Sequence, residues 1–184
     1  MLTLWGGTDI DSIYYNALRN SRNDTPDTAR DKREINAYYH AVRNNEPVLG
    51  ICRGAQLVSV LNGASLYQHS IGHNKNHPIK CLVDDRFIVY TNVAADHHQI
   101  INLNLVNPTT YTLLGYSDHI TTVWTDETTT KEIKDVPEII YFPHVKTMAV
   151  QPHPEWMKKD HPFNIWLDRV CTDYLGESLW HFIR

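Results

Sequence analysis

Residues 47–61 read Pro-Val-Leu-Gly-Ile-Cys-Arg-Gly-Ala-Gln-Leu-Val-Ser-Val-Leu, and this stretch decides the fold. Its first five residues form a short, continuous apolar run, which is typical of a strand buried on both faces of a parallel sheet. Residues 55–61 continue as a predicted helix. The stretch therefore predicts a strand, a sharp turn at Cys52 and a helix in direct succession.

Cys52, at this turn, is the candidate nucleophile. It lies between Gly50 and Gly54, and a nucleophile on a strained strand-to-helix turn needs small neighbours because the chain packs closely there. A thiol at the start of a helix is close to free N–H groups, which favour the thiolate and can hold an oxyanion. The alternative is a buried structural cysteine, since most lone cysteines are packing residues.

The elements around this stretch predict an α/β fold. A strand over residues 2–5 leads into the Gly6-Gly7 turn, residues 11–29 are predicted to be a surface loop, and a helix is predicted over residues 29–44. This order favours a sheet with right-handed crossovers, to which the later strands add antiparallel neighbours. Those later elements are strands over residues 87–93, 111–116, 120–125, 139–142 and 147–151 and a helix over residues 162–175.

The composition excludes several classes of protein. The 184 residues contain 17 Lys and Arg against 21 Asp and Glu, so the formal charge of −4 offers no basic excess for nucleic acid. A hydrophobic content of 42% excludes a disordered chain. No run approaches the roughly 18 apolar residues of a membrane span, and the first residues do not resemble a signal peptide. With only three cysteines, residues 1–184 are predicted to be one reduced, cytoplasmic domain.

A second candidate stretch is Gln151-Pro152-His153-Pro154-Glu155-Trp156. A cysteine nucleophile needs a base, and that base needs a group to orient it. Side chains two residues apart in an extended segment point the same way, so Glu155 can hold the ring of His153. Taken alone, this stretch is read more simply as a surface loop. Together with Cys52 it indicates a catalytic triad.

These two stretches resemble the class I glutamine amidotransferase-like group, and within it the γ-glutamyl hydrolases, especially the γ-glutamyl-GABA hydrolase type. The family normally has a βαβ unit ahead of its Gly-Gly turn, whereas here that turn begins at residue 6. Further matching motifs are Gly6-Gly7-Thr8-Asp9-Ile10 with Tyr15, the set Asp27, Arg30, Asp31 and Glu34, Leu66-Tyr67-Gln68, and His97 with Gln99. The set beginning at Asp27 is interpreted more simply as a capped, solvated helix start.

The resemblance implies a flavodoxin-like, open and mostly parallel sheet with antiparallel additions and flanking helices. It also implies that a Cys52–His153–Glu155 triad cleaves a γ-glutamyl amide through a γ-glutamyl thioester, without a cofactor. The backbone N–H of Arg53 and those of the Gly6-Gly7 turn would form the oxyanion hole. The expected glutamyl pocket consists of Gln56, His97 and Gln99.

A metal site is not predicted. His69, His73 and His77 are four residues apart, which would align them on a helix, but Gly72 and Pro78 interrupt any helix. In the sequence, no cysteine or carboxylate cluster completes such a site.

The expected partner is a small γ-glutamyl compound or glutamine. A homo-oligomer and a synthase partner both stay open. The leading function is a free-standing γ-glutamyl hydrolase. The runner-up is a glutaminase subunit that passes ammonia to a synthase, and a third reading is a non-enzymatic binding module.

Overall fold

The structure, a computed structural model, describes residues 1–183, which form twelve strands and four helices. The strands are β1 (Leu2–Leu4), β2 (Val48–Ile51), β3 (Ser65–Tyr67), β4 (His69–Ser70), β5 (His77–Val83), β6 (Arg86–Val93), β7 (Ile100–Asn102), β8 (Thr112–Ser117), β9 (Thr121–Trp124), β10 (Thr130–Ile133), β11 (Val136–Phe142) and β12 (Thr147–Val150). The helices are α1 (Thr28–Arg43), α2 (Arg53–Leu61), α3 (Pro162–Leu175) and α4 (Leu179–Phe182).

The main sheet has the strand order β1-β2-β12-β11-β8-β5-β6. Strand β2 pairs in parallel with both β1 and β12, while β11, β8, β5 and β6 join through antiparallel pairs. Two smaller sheets, β10-β9-β4 and β3-β7, lie beside it. The predicted α/β class, with parallel strands, antiparallel additions and flanking helices, is confirmed.

The central strands are buried on both faces of the sheet. Leu49 and Ile51 pack in a core with α3 and α4, whereas Val48, one residue away, packs in a second core with α1 and α2. Because alternate side chains of a strand point to opposite faces, a strand between two helical layers must be apolar throughout. This explains why residues 48–51 read as one continuous apolar run.

The parallel strands bring distant parts of the chain to one edge of the sheet. The Gly6-Gly7 turn follows β1, Cys52 follows β2, and Gln151 follows β12. Since parallel strands end at the same edge, this edge is where an α/β sheet gathers functional groups. No helix within residues 1–183 combines the length and apolar character needed to cross a membrane.

The segment predicted as a surface loop, residues 11–29, is more structured than expected. It contains a 3₁₀ turn at Ser12–Tyr15, and it buries polar side chains that include Asn20 and Asn23. Most of the segment is exposed, as predicted. Asn20 is an exception, and its buried Nδ2 donates to the carbonyl oxygen of Asp126 at 2.8 Å. Strand β5 also escaped prediction, because Pro78 is untypical of a strand, although buried and less buried positions alternate from His77 to Cys81.

Candidate active site

The turn at Cys52 is strained and closely packed. Its backbone has φ 51° and ψ −108°, in a region that residues other than glycine rarely adopt. A Cβ on Gly50 would lie 2.5 Å from the carbonyl oxygen of Gly54. A Cβ on Gly54 would in turn collide with the carbonyl oxygen of Leu4 on β1. Only glycine fits at these two positions, which accounts for the G-x-C-x-G pattern.

The Cys52 thiol is buried, and its environment holds it in the protonated form. Burial raises the pKa of Cys52 to about 12, and the carboxylates of Glu155 and Asp96 add to this effect. The backbone N–H of Arg53 acts in the opposite direction but is outweighed. The Arg53 N–H at the helix start favours the thiolate, as expected, but desolvation outweighs this effect. The thiol donates to the carbonyl oxygen of Asp96 at 3.8 Å.

His153 and Glu155, the predicted base and its orienting group, are in direct contact. Nδ1 of His153 is 2.7 Å from Oε1 of Glu155, which leaves Nε2 as the nitrogen available for a proton from a thiol. The pair forms across a 3₁₀ turn at Pro154–Trp156 rather than in the extended segment assumed from the sequence. The His153 ring stacks on Trp156, with ring centroids 3.6 Å apart and planes 2° from parallel. The ring is therefore fixed by both a hydrogen bond and a stacked indole.

Cys52, His153 and the Gly6-Gly7 turn surround one small space. A Cβ on Gly6 would lie 3.0 Å from Cε1 of His153 and 3.5 Å from Cβ of Cys52. Within residues 1–183 no hydrogen bond joins Cys52 to His153, because the thiol is directed at Asp96. The structure thus places the predicted triad side by side with the thiol turned away from the base.

Two sets of backbone N–H groups are available for an oxyanion. The Arg53 N–H points at the Cys52 sulfur, and the N–H groups of Gly6 and Gly7 have no backbone acceptor within the described chain. Arg30 fixes the turn from behind, since its Nη2 donates to the carbonyl oxygens of Trp5 at 2.9 Å and Gly6 at 3.0 Å.

The Arg53 side chain anchors the turn from inside the protein. It is buried and forms ion pairs with Asp31 and Glu34 of α1. Asp27 caps α1 by accepting the backbone N–H of Arg30 at 2.9 Å, as the capping interpretation predicts. Asp31 is fully buried, however, so the description of a solvated helix start is wrong for that residue. The motif connects α1 to the nucleophile turn.

A cavity of about 590 Å³ opens over the Cys52 turn. Gln56 and His97 line it, as predicted from the resemblance. Gln99 is fully buried behind the wall, where its Nε2 donates to the Tyr15 hydroxyl at 3.4 Å. The lining residues are Trp5, Gly6, Gly7, Asp9, Asp24, Cys52, Gln56, Asp96, His97, His98, His153, Glu155 and Trp156.

Sequence reasoning missed the acidic side of this cavity. Asp9 lies 3.1 Å from Nε2 of His98, and this hydrogen bond raises the pKa of His98. Asp24 and Asp96 line the same space. Asp9 belongs to the Gly6-Gly7-Thr8-Asp9 motif, so the signal was present in the sequence. Asp24 carries no local signal, because only the folded loop brings it there.

A second group lies beneath the cavity wall and was not predicted. His73, His77, His97 and Glu138 are all buried, and one ligand atom from each lies within 4.8 Å of the others. Burial opposes the charge of Glu138, but the three imidazoles hold its pKa well below the usual range. A metal site was not predicted, because His69, His73 and His77 were tested only as ligands on one helix and the sequence shows no carboxylate cluster beside them. In the folded protein the carboxylate comes from Glu138 on β11. In the sequence, Glu138 stands out only as the single acidic residue in the otherwise apolar run 136–142.

A comparison with models of known protein families shows to which family the chain belongs. A profile of the family described as Peptidase C26 matches residues 1–115, more than half of the chain, in a segment that includes Cys52 and ends before His153. The chain belongs to the Peptidase C26 family. This family is class I glutamine amidotransferase-like, and membership implies a hydrolase.

Relatives of this family member carry names of the same class. A proposed glutamine amidotransferase-like protein of Lactococcus lactis subsp. cremoris is 39% identical over 67 residues, 36% of this chain and 36% of its own length. A proposed glutamine amidotransferase of Mycobacterium tuberculosis is 31% identical over 117 residues, 55% of this chain and 38% of its own length. The carbamoyl phosphate synthase small chain of Wigglesworthia glossinidia brevipalpis is 37% identical over 60 residues, 28% of this chain and 16% of its own length.

The chain thus spans about a third of the length of the first two of these relatives. A solved glutamine amidotransferase from Thermotoga maritima is similar with a TM-score of 0.48 at 18% identity, covering 79% of this chain and 55% of that one.

Proposed function

We propose that this Peptidase C26 family member is a cysteine hydrolase that cleaves γ-glutamyl amides and releases glutamate and an amine. The observation that carries the proposal is the strained turn that presents Cys52 beside the hydrogen-bonded His153–Glu155 pair at the floor of a cavity. A nucleophile, a base and a group that orients the base are the parts that acyl transfer requires.

In the first half of the reaction His153 accepts the thiol proton on Nε2 while the Cys52 sulfur attacks the γ-carbonyl carbon. The thiol must first leave the Asp96 carbonyl, which holds it at 3.8 Å. The oxyanion that forms is held by the N–H groups of Arg53 and of the Gly6-Gly7 turn. His153 then gives its proton to the departing amine, and a γ-glutamyl thioester stays on Cys52.

In the second half water replaces the amine. His153 removes a proton from the water, which attacks the thioester carbon, and the sulfur leaves and recovers a proton from His153. Glu155 stabilises the protonated imidazole in both halves. The high pKa of Cys52 means that the proton transfer to His153 is needed in every turnover, since burial disfavours a preformed thiolate.

The cavity suits the polar end of a γ-glutamyl group. Among residues 1–183 its lining includes the carboxylates of Asp9 and Asp24 and no Lys or Arg side chain. A negative wall of this kind favours the α-ammonium group of a glutamyl substrate by simple Coulomb attraction. Gln56 adds an amide group that can donate and accept hydrogen bonds. We expect the cytoplasm, with its reduced cysteines, to be the site of action.

A second candidate function is a glutaminase that delivers ammonia to a synthase. The observation in its favour is the similarity to carbamoyl phosphate synthase small chains, whose name denotes a subunit of a larger enzyme. In that case the same Cys52 chemistry acts on glutamine, and the partner changes the rate. A homo-oligomer is an alternative kind of partner.

Release of glutamate from a chromogenic γ-glutamyl anilide and from glutamine tests the proposal. We expect the wild-type protein to cleave the anilide and the folded Cys52→Ala variant to be inactive. Circular dichroism of the variant is the matched control for folding. Cleavage of glutamine alone, increased by an added synthase, would favour the second candidate. Equal cleavage by wild type and Cys52→Ala would overturn both.

A further inference from the structure

No step of the hydrolysis proposed above uses the buried cluster of His73, His77, His97 and Glu138, although His97 also lines the cavity. Its members come from four separate segments: the loop after β4, the start of β5, the segment between β6 and β7, and the middle of β11. Each side chain is more than nine-tenths buried. Buried polar groups are expensive unless each finds a partner, so the contacts of this cluster need an explanation.

One nitrogen of each imidazole contacts a group outside the cluster. Nε2 of His73 is 3.0 Å from Oγ1 of Thr121. Nδ1 of His77 is 2.9 Å from the carbonyl oxygen of Lys75, and Nδ1 of His97 is 3.0 Å from that of Gln99. A carbonyl oxygen only accepts, so these Nδ1 atoms carry hydrogens. When it is neutral, an imidazole of this tautomer presents a bare lone pair on Nε2.

Those inner nitrogens converge on one carboxylate. Oε1 of Glu138 is 3.0 Å from Nε2 of His77 and 3.2 Å from Nδ1 of His73, and Oε2 is 3.6 Å from Nε2 of His97. Three of these atoms have no hydrogen-bond partner within residues 1–183: Nδ1 of His73, Nε2 of His97 and Oε2 of Glu138. A lone pair that faces a carboxylate repels it, so either a proton or a metal cation must lie between each nitrogen and Glu138. A proton suffices for Nε2 of His77, which is within hydrogen-bonding distance of Oε1, whereas a divalent cation would also serve the three unpartnered atoms.

The spacing suits a small divalent cation. Around Zn²⁺, nitrogen and oxygen ligands lie about 2.0–2.2 Å from the metal, which puts tetrahedral neighbours roughly 3.3–3.6 Å apart. The contacts of 3.0, 3.2 and 3.6 Å within the cluster fall close to that range. Metal-bound histidines characteristically donate their other N–H to a carbonyl oxygen, as His77 and His97 do here.

We propose that His73, His77, His97 and Glu138 form a structural zinc site beneath the cavity wall. Four protein ligands leave no open position for substrate or water, so the site is structural rather than catalytic. It would fix the segment that carries His97 and Asp96, whose carbonyl oxygen accepts the Cys52 thiol. The proposal does not depend on the proposed function, because no step of the hydrolysis passes through the metal.

Zinc titration of the chelator-treated protein tests the site, followed by native mass spectrometry and thermal melting. We expect one zinc ion per chain and a rise in Tm of about 5–10 °C at zinc concentrations roughly 100-fold above the Kd. His73→Asn and Glu138→Gln should each weaken zinc binding by about tenfold or more. The matched control is His144→Asn, at an exposed histidine outside the cluster, which should leave the Kd unchanged.

Anomalous diffraction at the zinc edge, from crystals of the wild-type protein grown with zinc, gives a second measurement. It does not depend on whether the variants fold. A single peak among the four side chains is expected. A peak at the other potential ligand group, Asp9, Asp24 and His98, would overturn the proposal. So would the absence of zinc binding, or zinc binding that His73→Asn and Glu138→Gln leave unchanged.

Discussion

At the scale of single residues, Cys52 shows how a protein can keep a nucleophile protonated until it is needed. The helix start and the Arg53 N–H favour the thiolate, but burial and the nearby carboxylates raise the pKa to about 12. The balance is decided by desolvation, which the sequence does not report directly. A buried, protonated thiol is also protected from oxidation and alkylation between turnovers.

This balance predicts how Cys52 responds to alkylation. Since the thiolate is the reactive form and the pKa is raised, the rate of modification by iodoacetamide should be low at neutral pH. It should rise with pH from about 7 to 10 without reaching a plateau. Peptide mapping by mass spectrometry assigns the modified cysteine, with Cys52→Ala as the control. A plateau below about pH 8 would show a preformed thiolate and contradict this account.

The His153–Glu155 pair predicts a graded loss of activity. His153→Ala removes the base and should lower kcat/KM by roughly 10²–10⁴-fold. Glu155→Gln keeps a side chain that can hydrogen-bond to Nδ1 of His153. The loss of kcat/KM in this variant should therefore be about tenfold or more smaller than the loss in His153→Ala. Steady-state kinetics on a γ-glutamyl anilide measures both. Equal losses would indicate that the charge of Glu155, and not only its position, is essential.

At the scale of secondary-structure elements, the β2–α2 turn is held by close contacts on several sides. Gly54 leaves room for the carbonyl oxygen of Leu4, and the buried Arg53 side chain is paired with two acids of α1. Strand β1, strand β2 and helix α1 are therefore tied together at the nucleophile. A buried ion pair of this kind is costly to break, because it leaves an uncompensated charge behind.

Gly54→Ala should destabilise this unit. The added Cβ would meet the Leu4 carbonyl oxygen, and overpacking at a rigid site costs roughly 1–3 kcal/mol. Activity should fall as well, because β1 can only move by displacing the Gly6-Gly7 turn. Urea unfolding of both proteins measures the difference in the free energy of unfolding. A variant within about 0.5 kcal/mol of wild type would show that the elements are not packed as described.

The elements also show what local sequence can and cannot predict. Helix α3 has the predicted bounds, because its apolar spacing and Pro162 are both local signals. Strand β5 and Glu138 were missed, because a proline and a lone acid break the local pattern there and find their partners only in the folded sheet. The candidate catalytic motifs were recognisable since each is contiguous. Their combination into a triad followed from the need of a cysteine nucleophile for a base, and the resemblance supported it.

At the scale of the whole molecule, the cavity is assembled from parts of the chain that are far apart in sequence. The ends of β1, β2 and β12 supply the Gly6-Gly7 turn, Cys52 and His153, and the segment before β7 supplies His97 and His98. The acidic wall formed with Asp24 could not be predicted, since it depends on this assembly. The prediction that residues 1–184 form one domain stays a prediction.

The central claim is that Cys52 carries the glutamyl group as a thioester. Rapid-quench mass spectrometry of the intact protein mixed with a γ-glutamyl anilide tests this most directly, with peptide mapping to locate the adduct. We expect a glutamyl adduct on Cys52 that forms with the release of aniline and disappears as glutamate is released. Glutamate release without any adduct on Cys52, persisting in Cys52→Ala, would contradict the account.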